Sequence, residues 1–188
     1  MRRVTYSMNA SLDGFIEDPD GRFDWSVPDE EVFATHLEEL RHTDVHLLGR
    51  RLYETMLYWE TADEEPGLSD AEREWTQVWK ALPKVVFSTT LTEVHASNTR
   101  LATGTLAVEI ARLRDEPGEG DIAIGGAMLA AETAALGLID EYRVMLHPVL
   151  LGGGRSYFPH LQQHVTLELV GTRAYACGVV QQRHRVRR

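Results

Sequence analysis

Apolar positions along this chain recur with two alternating periods. A β-prone run from Val4 to Met8 meets a turn signal at Asp13-Gly14. From Pro28 to His42 the period becomes helical, with Val32, Phe33, Leu37 and Leu40 on one face. Asp29, Glu30 and Glu31 crowd its start, where the positive end of the helix dipole favours acids. Val45 to Gly49 reads as a short buried strand, and the helix-prone "RRLYETMLYW" follows. The polar stretch Glu60 to Gly67 contains Pro and Gly and reads as a surface loop. Ser69 with Glu72 is a capping box, opening a helix whose stripe is Trp75, Val78, Trp79 and Leu82. Then come a strand ("KVVFSTT"), an amphipathic helix ("TLAVEIARLRDE") closed by "PGEG", a strand ("DIAIGG") and a helix ("AMLAAETAALG"). From Glu141 onward β-rich runs are separated by Gly turns, with no helix pattern between them. Strands alternating with helices predict a largely parallel sheet, and the β-rich end predicts antiparallel strands added at an edge. No repeat, low-complexity segment or linker divides the chain, so the expectation is one α/β domain over residues 1–188.

Composition narrows the function classes. The chain has 43% hydrophobic and 26% charged residues, as ordinary globular domains do. Its formal charge of −10 repels a phosphate backbone at long range and argues against a nucleic-acid partner. The closing "RHRVRR" is the local exception and reads as a frayed strand end. A single cysteine, Cys177, excludes an internal disulfide and any multi-Cys zinc site; its β-rich surroundings predict a buried thiol. No apolar run approaches the roughly 18 residues of a membrane span, and the start lacks a signal-peptide core. A soluble cytoplasmic domain without a membrane partner is expected.

Three strand ends carry candidate chemistry. Gly125-Gly126 lies where a predicted strand passes into a helix, the edge where open α/β sheets collect ligands. The first turn of a helix offers unpaired N–H groups suited to phosphate. A tight turn needing one unusual dihedral is the competing reading, and the pair alone leaves both open. In "LLGRRLYE", Gly49 precedes Arg50 and Arg51, and cations there oppose the helix dipole, which points to anion recognition. Ser88, Thr89 and Thr90 end a third strand, where hydroxyls also cap turns routinely. Other patterns fail their context tests. Gly118-Glu119-Gly120 with Ala123 precedes its strand instead of following it. His36-Leu37-Glu38 lacks the cysteine pair of a zinc deaminase, and its helical spacing makes His36 a half-buried core histidine. No histidine pair beside a Glu has metal-ligand spacing, so no metal is expected. Gly152-Gly153-Gly154 reads as a wide turn or bulge.

The order of these pieces resembles the dihydrofolate reductase superfamily, and more closely the reductase domain of bacterial riboflavin biosynthesis and its stand-alone relatives. The resemblance rests on "MNASLDGFI", "LLGRRLYE", "KVVFSTTL", "IAIGGAML" and "LIDEYRVMLHPVLLGGGRSYF", and it covers nearly the whole chain. It implies a three-layer fold, a mixed, mostly parallel sheet with helices on both faces, and NADPH as cofactor. Gly125 and Gly126, with Ala127, Met128 and Leu129, match the turn that cradles the pyrophosphate. Gly49, Arg50 and Arg51 match the turn holding the adenosine 2′-phosphate and diphosphate, and Ser88 and Thr89 the adenosine side. Asn9 and Ile16 match positions flanking the nicotinamide. Two departures weaken phosphate contacts: Leu52 stands where the family usually has Thr, and Thr89 where an arginine often follows the serine. The implied reaction is hydride transfer to a small heterocyclic substrate, related to 5-amino-6-(5-phosphoribosylamino)uracil reduction, with Asp13 and Glu30 as the active-site acids. Dihydrofolate reduction and a binding domain without turnover are the alternatives, and the family often forms homodimers.

Overall fold

The computed structural model describes residues 2–158 and 164–188. Its eight-stranded sheet is built from β1 (Val4–Ser11), β3 (Thr43–Gly49), β4 (Lys84–Phe87), β5 (Thr99–Leu101), β6 (Asp121–Gly125), β7 (Glu141–His147), β9 (Leu167–Ala174) and β10 (Val180–Val186). The spatial order is β5-β4-β3-β6-β1-β7-β10-β9. The first six of that order run parallel, and β10 runs antiparallel to both of its neighbours. Two short strands, β2 (Phe15–Glu17) and β8 (Arg155–Ser156), form a separate ribbon. The helices are α1 (Glu30–Arg41), α2 (Arg50–Met56), α3 (Tyr58–Thr61), α4 (Asp70–Ala81), α5 (Leu106–Asp115) and α6 (Ala127–Ala135).

The expected α/β architecture is present. Side chains alternate across each strand, so the two sheet faces carry different chemistry. One face is apolar: Val4, Tyr6, Val45, Leu47, Ile122 and Ile124 pack against Leu106, Ile110 and Leu113 of α5 and Leu129 and Ala130 of α6. The other face lies under α1, α2 and α4, where Leu40, Tyr53 and Trp79 cover Leu48 and Val86. Around β1, β7 and β10 this second face is polar. Ser7 donates to Glu39 at 2.8 Å and Gln181 donates to the same carboxylate at 2.8 Å. Arg143 bridges Glu141 (2.7 Å) and Asp121 (2.6 Å), and Arg183 joins Glu141 at 2.9 Å.

Several expectations are corrected. The basic C-terminus is not frayed. Arg183 and Arg185 lie in β10, and Arg187 and Arg188 beyond it pair with Glu168 and Asp140, because β7 and β9 present acids to them. Cys177 is exposed, since Gly178 with φ +89° turns the chain between β9 and β10 before a strand can bury the thiol. The helix after β3 breaks at Leu57 into α2 and α3. The capping box at Ser69 and Glu72 forms as read, opening α4. The Gly152–Gly154 turn also forms. A Cβ on Gly154 would stand 1.9 Å from the Glu17 carbonyl, so glycine there lets the turn close on β2.

Candidate active site

The carboxyl ends of β1, β3, β4, β6 and β7 face one edge of the sheet, and the predicted residues collect there. Gly49 and Gly126 are adjacent: a Cβ on Gly126 would lie 3.9 Å from the Gly49 nitrogen. Two strand-to-helix turns therefore sit side by side.

The two glycines of the β6–α6 turn have separate physical causes. Gly125 is buried, and a Cβ there would meet Leu52, His46 and Leu48 side-chain atoms at 2.7–2.8 Å. Gly126 has room for a Cβ, which would make only ordinary contacts at 3.8–4.0 Å, but takes φ +97°, which L side chains rarely adopt. Packing and dihedral thus account for the pair. What the turn leaves to a ligand is its amides. Ala130 donates to Gly126 at 3.0 Å, so the N–H groups of Ala127, Met128 and Leu129 have no carbonyl one turn back, and no side chain among the described residues caps them. The Met128 side chain is 73% exposed, whereas Leu129 turns its side chain into the core.

Arg50 and Arg51 are exposed at the start of α2. Arg50 pairs with Glu54 at 3.1 Å, one turn along, while Arg51 meets no carboxylate among the described residues. Beside them β4 ends at Phe87. Ser88 Oγ accepts from the Thr90 and Leu91 amides at 3.1 and 2.9 Å, so this hydroxyl already caps its own turn. Thr89 is exposed.

On the β1 side, Asn9 is half-buried and its amide donates to Ser26 O at 3.3 Å. Ile16 is buried in the apolar core, which leaves only its backbone for a ligand. The Asp13 carboxylate accepts from Ser11 Oγ at 2.6 Å and from the Leu151 and Gly152 amides at 3.1 and 2.8 Å. The Ser11 hydrogen bond, with the two amides, holds it below the ordinary carboxylate range. It ties the β1–β2 turn to the Gly152 turn. Glu30 is exposed in the first turn of α1, behind Asp29, which caps the helix through the Val32 amide at 2.9 Å.

Sequence reasoning passed over His147. It ends β7 beside Ser11 of β1, is 5% exposed, and stands edge-on to the Trp25 ring at 5.6 Å. Its signal was the polar period of two in Glu141, Arg143 and His147, which marks one face of a strand. The segment 21–28, which carries Trp25, walls a cleft of about 680 Å³ whose lining includes Asn9, Arg22, Phe23, Asp24, Val27 and Pro28.

A family model described as the RibD C-terminal domain matches residues 2–181. The chain belongs to that family. A relative from Bacillus subtilis (strain 168), the uncharacterized protein YyaP, is 33% identical over 180 residues, covering 96% of this chain and 93% of its own length. Among solved structures, a Shewanella sp. PV-4 protein ascribed to riboflavin biosynthesis superposes with TM-score 0.78 at 24% identity, covering 99% of each chain. A Thermotoga maritima diaminohydroxyphosphoribosylaminopyrimidine deaminase/5-amino-6-(5-phosphoribosylamino)uracil reductase gives TM-score 0.67 at 15% identity, over 99% of this chain and 57% of that one. Dihydrofolate reductase from Enterococcus faecalis, complexed with NADP(H), gives 0.62 at 16% identity, over 99% and 97%. At these identities the structures show the fold, which is dihydrofolate reductase-like.

Proposed function

We propose that this chain is an NADPH-dependent reductase acting on a small heterocyclic substrate, related to the reductase half of riboflavin biosynthesis. The observation that carries the reading is the unspent donor set at one edge of a RibD C-terminal-type fold: three uncapped amides at the start of α6, with the unpaired cation Arg51 on the neighbouring turn. Amides in a helix first turn suit a diphosphate, and a permanently charged planar fork suits a phosphate monoester. The residues fit the cofactor. Ala127, Met128 and Leu129 would hold the diphosphate through their backbone, Arg51 with Arg50 the 2′-phosphate, and Thr89 the adenosine side. When bound, such a cofactor supplies a hydride to a C=N or C=O carbon. The chain's own part is to orient both partners and to exclude water, with Asn9 and the Ile16 backbone beside the ring and Asp13 fixing the loop between them. Asp13 is a positioning residue here, because a carboxylate held ionised by three donors is a poor proton source. Pairing of two copies along β9 belongs to the same reading: that edge strand leaves Leu169 and Val170 exposed.

Titration with NADPH and with NADH, followed by nicotinamide fluorescence, tests the cofactor. Tight NADPH binding with weaker NADH binding is expected, and binding of neither refutes the reading.

A further inference from the structure

Three polar atoms left unpaired gather at the carboxyl end of the polar sheet face. Asn9 Oδ1, His36 Nε2 and His147 Nε2 are buried and meet no hydrogen-bond partner among the described residues. Each unmet buried group costs about 1–3 kcal/mol, and proteins leave few of them. The fold brings these three together. β1 and β7 pair with Asn9 beside Met145 and Ser11 beside His147, so Asn9 and His147 project from the same face two residues apart. Met145 packs on Val32 of α1, and His36 follows Val32 by one helical turn on that side of the helix. The two imidazoles are near enough that charge on His36 would lower His147 further. Asn9 spends its amide N–H on Ser26 O, which leaves Oδ1 as its free acceptor beside the cleft walled by Phe23, Val27 and Pro28.

The chemistry of this corner is neutral. Burial pushes His36 down to about 4 and holds His147 below its ordinary value, so both rings are uncharged at physiological pH. The acids of the first turn of α1 point elsewhere: Asp29 caps the helix, Glu30 is exposed, and Glu31 pairs with Arg173. Such a corner offers one fixed acceptor and two imidazole nitrogens, with aromatic and apolar walls. It suits a flat, uncharged ring and does not suit a phosphate or a carboxylate, because Arg22, the cation that lines the cleft, is spent on Asp18 and Asp20.

We propose that Asn9, His36 and His147 read the substrate, taking the lactam edge of a planar, uncharged nitrogen heterocycle. The ring N–H donates to Asn9 Oδ1 and the ring carbonyl accepts from an imidazole Nε2–H. The proposal rests on the reductase reading; within it Asn9 selects for a ring N–H and the imidazoles hold the ring carbonyl.

The test uses the full chain and two fluorescent bicyclic probes, lumazine and 1,3-dimethyllumazine, which share a ring system but differ in their lactam N–H groups. At mildly acidic pH lumazine is expected to bind at least about tenfold more tightly, the value of one hydrogen bond to a buried acceptor. In Asn9→Leu, which removes the acceptor for the ring N–H at nearly constant volume, that ratio should shrink to about twofold. A plain clash of the methyl groups would persist in this variant and is thereby distinguished. With ¹⁵N-labelled histidine, the Nε2 resonance of His36 or His147 should move in the protein saturated with lumazine. That readout needs no variant to fold beyond those used for assignment. Equal affinities for the two probes, or unmoved imidazole resonances in a protein saturated with lumazine, would overturn the proposal. Failure to bind lumazine by a protein that binds NADPH sinks this inference alone. Failure to bind NADPH sinks the reductase reading and the inference with it.

Discussion

Gly125→Ala separates what the glycine turn does for the protein from what it would do for a ligand. The new Cβ would stand 2.7 Å from a Leu52 methyl, 2.8 Å from His46 Nε2 and 2.8 Å from a Leu48 methyl. Ordinary carbon contacts lie at about 3.5–4.0 Å, so each neighbour must retreat by roughly 0.8 Å. Leu52 is half-buried at the start of α2 and can give. Leu48 is fully buried, and the His46 ring is held edge-on against Trp79 at 5.7 Å, so these two cannot. Overpacking of this kind costs about 1–3 kcal/mol, and two fixed neighbours out of three put this site at roughly 2–3 kcal/mol. For a chain of this size that is a loss of about 4–12 °C in Tm. Urea unfolding followed by tryptophan fluorescence should show a lower midpoint with an unchanged slope. NADPH affinity should fall with it, because the side chain able to move, Leu52, adjoins Arg51. Gly126→Ala is the control: its Cβ has room at 3.8 Å, and its cost of about 1–2 kcal/mol comes from φ +97° alone. A Gly125→Ala protein as stable as the parent, with cofactor binding lost outright, would refute the packing account and return the residue to the ligand.

Arg51→Ala should weaken NADPH by at least about tenfold while leaving NADH within about threefold, measured by calorimetry; Arg50→Ala, whose partner Glu54 already competes for the guanidinium, should cost less. Glu141→Gln removes the carboxylate shared by Arg143, Arg183 and Arg3. Breaking such a buried network costs about 3–5 kcal/mol, and the lower end applies because Arg3 and Arg183 are partly solvated and Arg143 keeps Asp121. Burial alone would raise the Glu141 carboxyl, but hydrogen bonds and charge from Arg143 and Arg183 outweigh it and hold the group below its ordinary value. A depressed acid stabilises the fold above its unfolded pKa and loses that contribution as pH falls through the folded one. The gap between parent and Glu141→Gln should therefore be full at neutral pH and close below about pH 4, and a pH-independent gap would contradict it. Asp13→Asn should raise hydrogen exchange at residues 150–154 and lower turnover without moving the pH–rate inflections, whereas a shifted inflection would make Asp13 a proton donor.

Local signals placed most of the frame. The capping box at Ser69 and Glu72, the strand-to-helix turns at Gly49 and Gly126, and the shift to β period after Glu141 all formed where the residues pointed. Elements held mainly by distant partners were not legible. β5 is only Thr99–Leu101, too short to show a period, and exists because β4 supplies its ladder. The β2–β8 ribbon depends on the approach of Gly154 to Glu17, residues far apart in sequence. The basic C-terminal run looked like solvated ends because its acids, Glu141, Glu168 and Asp140, lie on other elements.

The candidate site divides along the same line. The proposed phosphate contacts are encoded locally, since a strand end, a glycine and the next few amides are contiguous, and Gly126 with residues 127–129 could be read from one short stretch. The proposed substrate contacts are encoded across the fold. Asn9, His36 and His147 come from β1, α1 and β7; Asn9 stood out only through the family resemblance, and each histidine alone reads as an ordinary strand or core residue. Their meeting is decided by the placement of β1 beside β7, which sets Ser11 against His147, and by the seating of α1 on Met145. The polar face that results is what a structural role explains least. A sheet face under a helix is most stable when apolar, as the opposite face of this sheet shows with Val4, Tyr6, Ile122 and Ile124. Toward the amino end the polar residues at least satisfy one another, as Arg143 does with Glu141 and Asp121. At the carboxyl end, where ligands collect in this architecture, Asn9, His36 and His147 hold buried polar atoms without partners among the described residues, while His46 under Trp79 is a lone case nearer the middle of that face. The gathering of three such atoms from β1, α1 and β7 at one corner is the physical reason to place substrate recognition there and not in the acids of the first turn of α1.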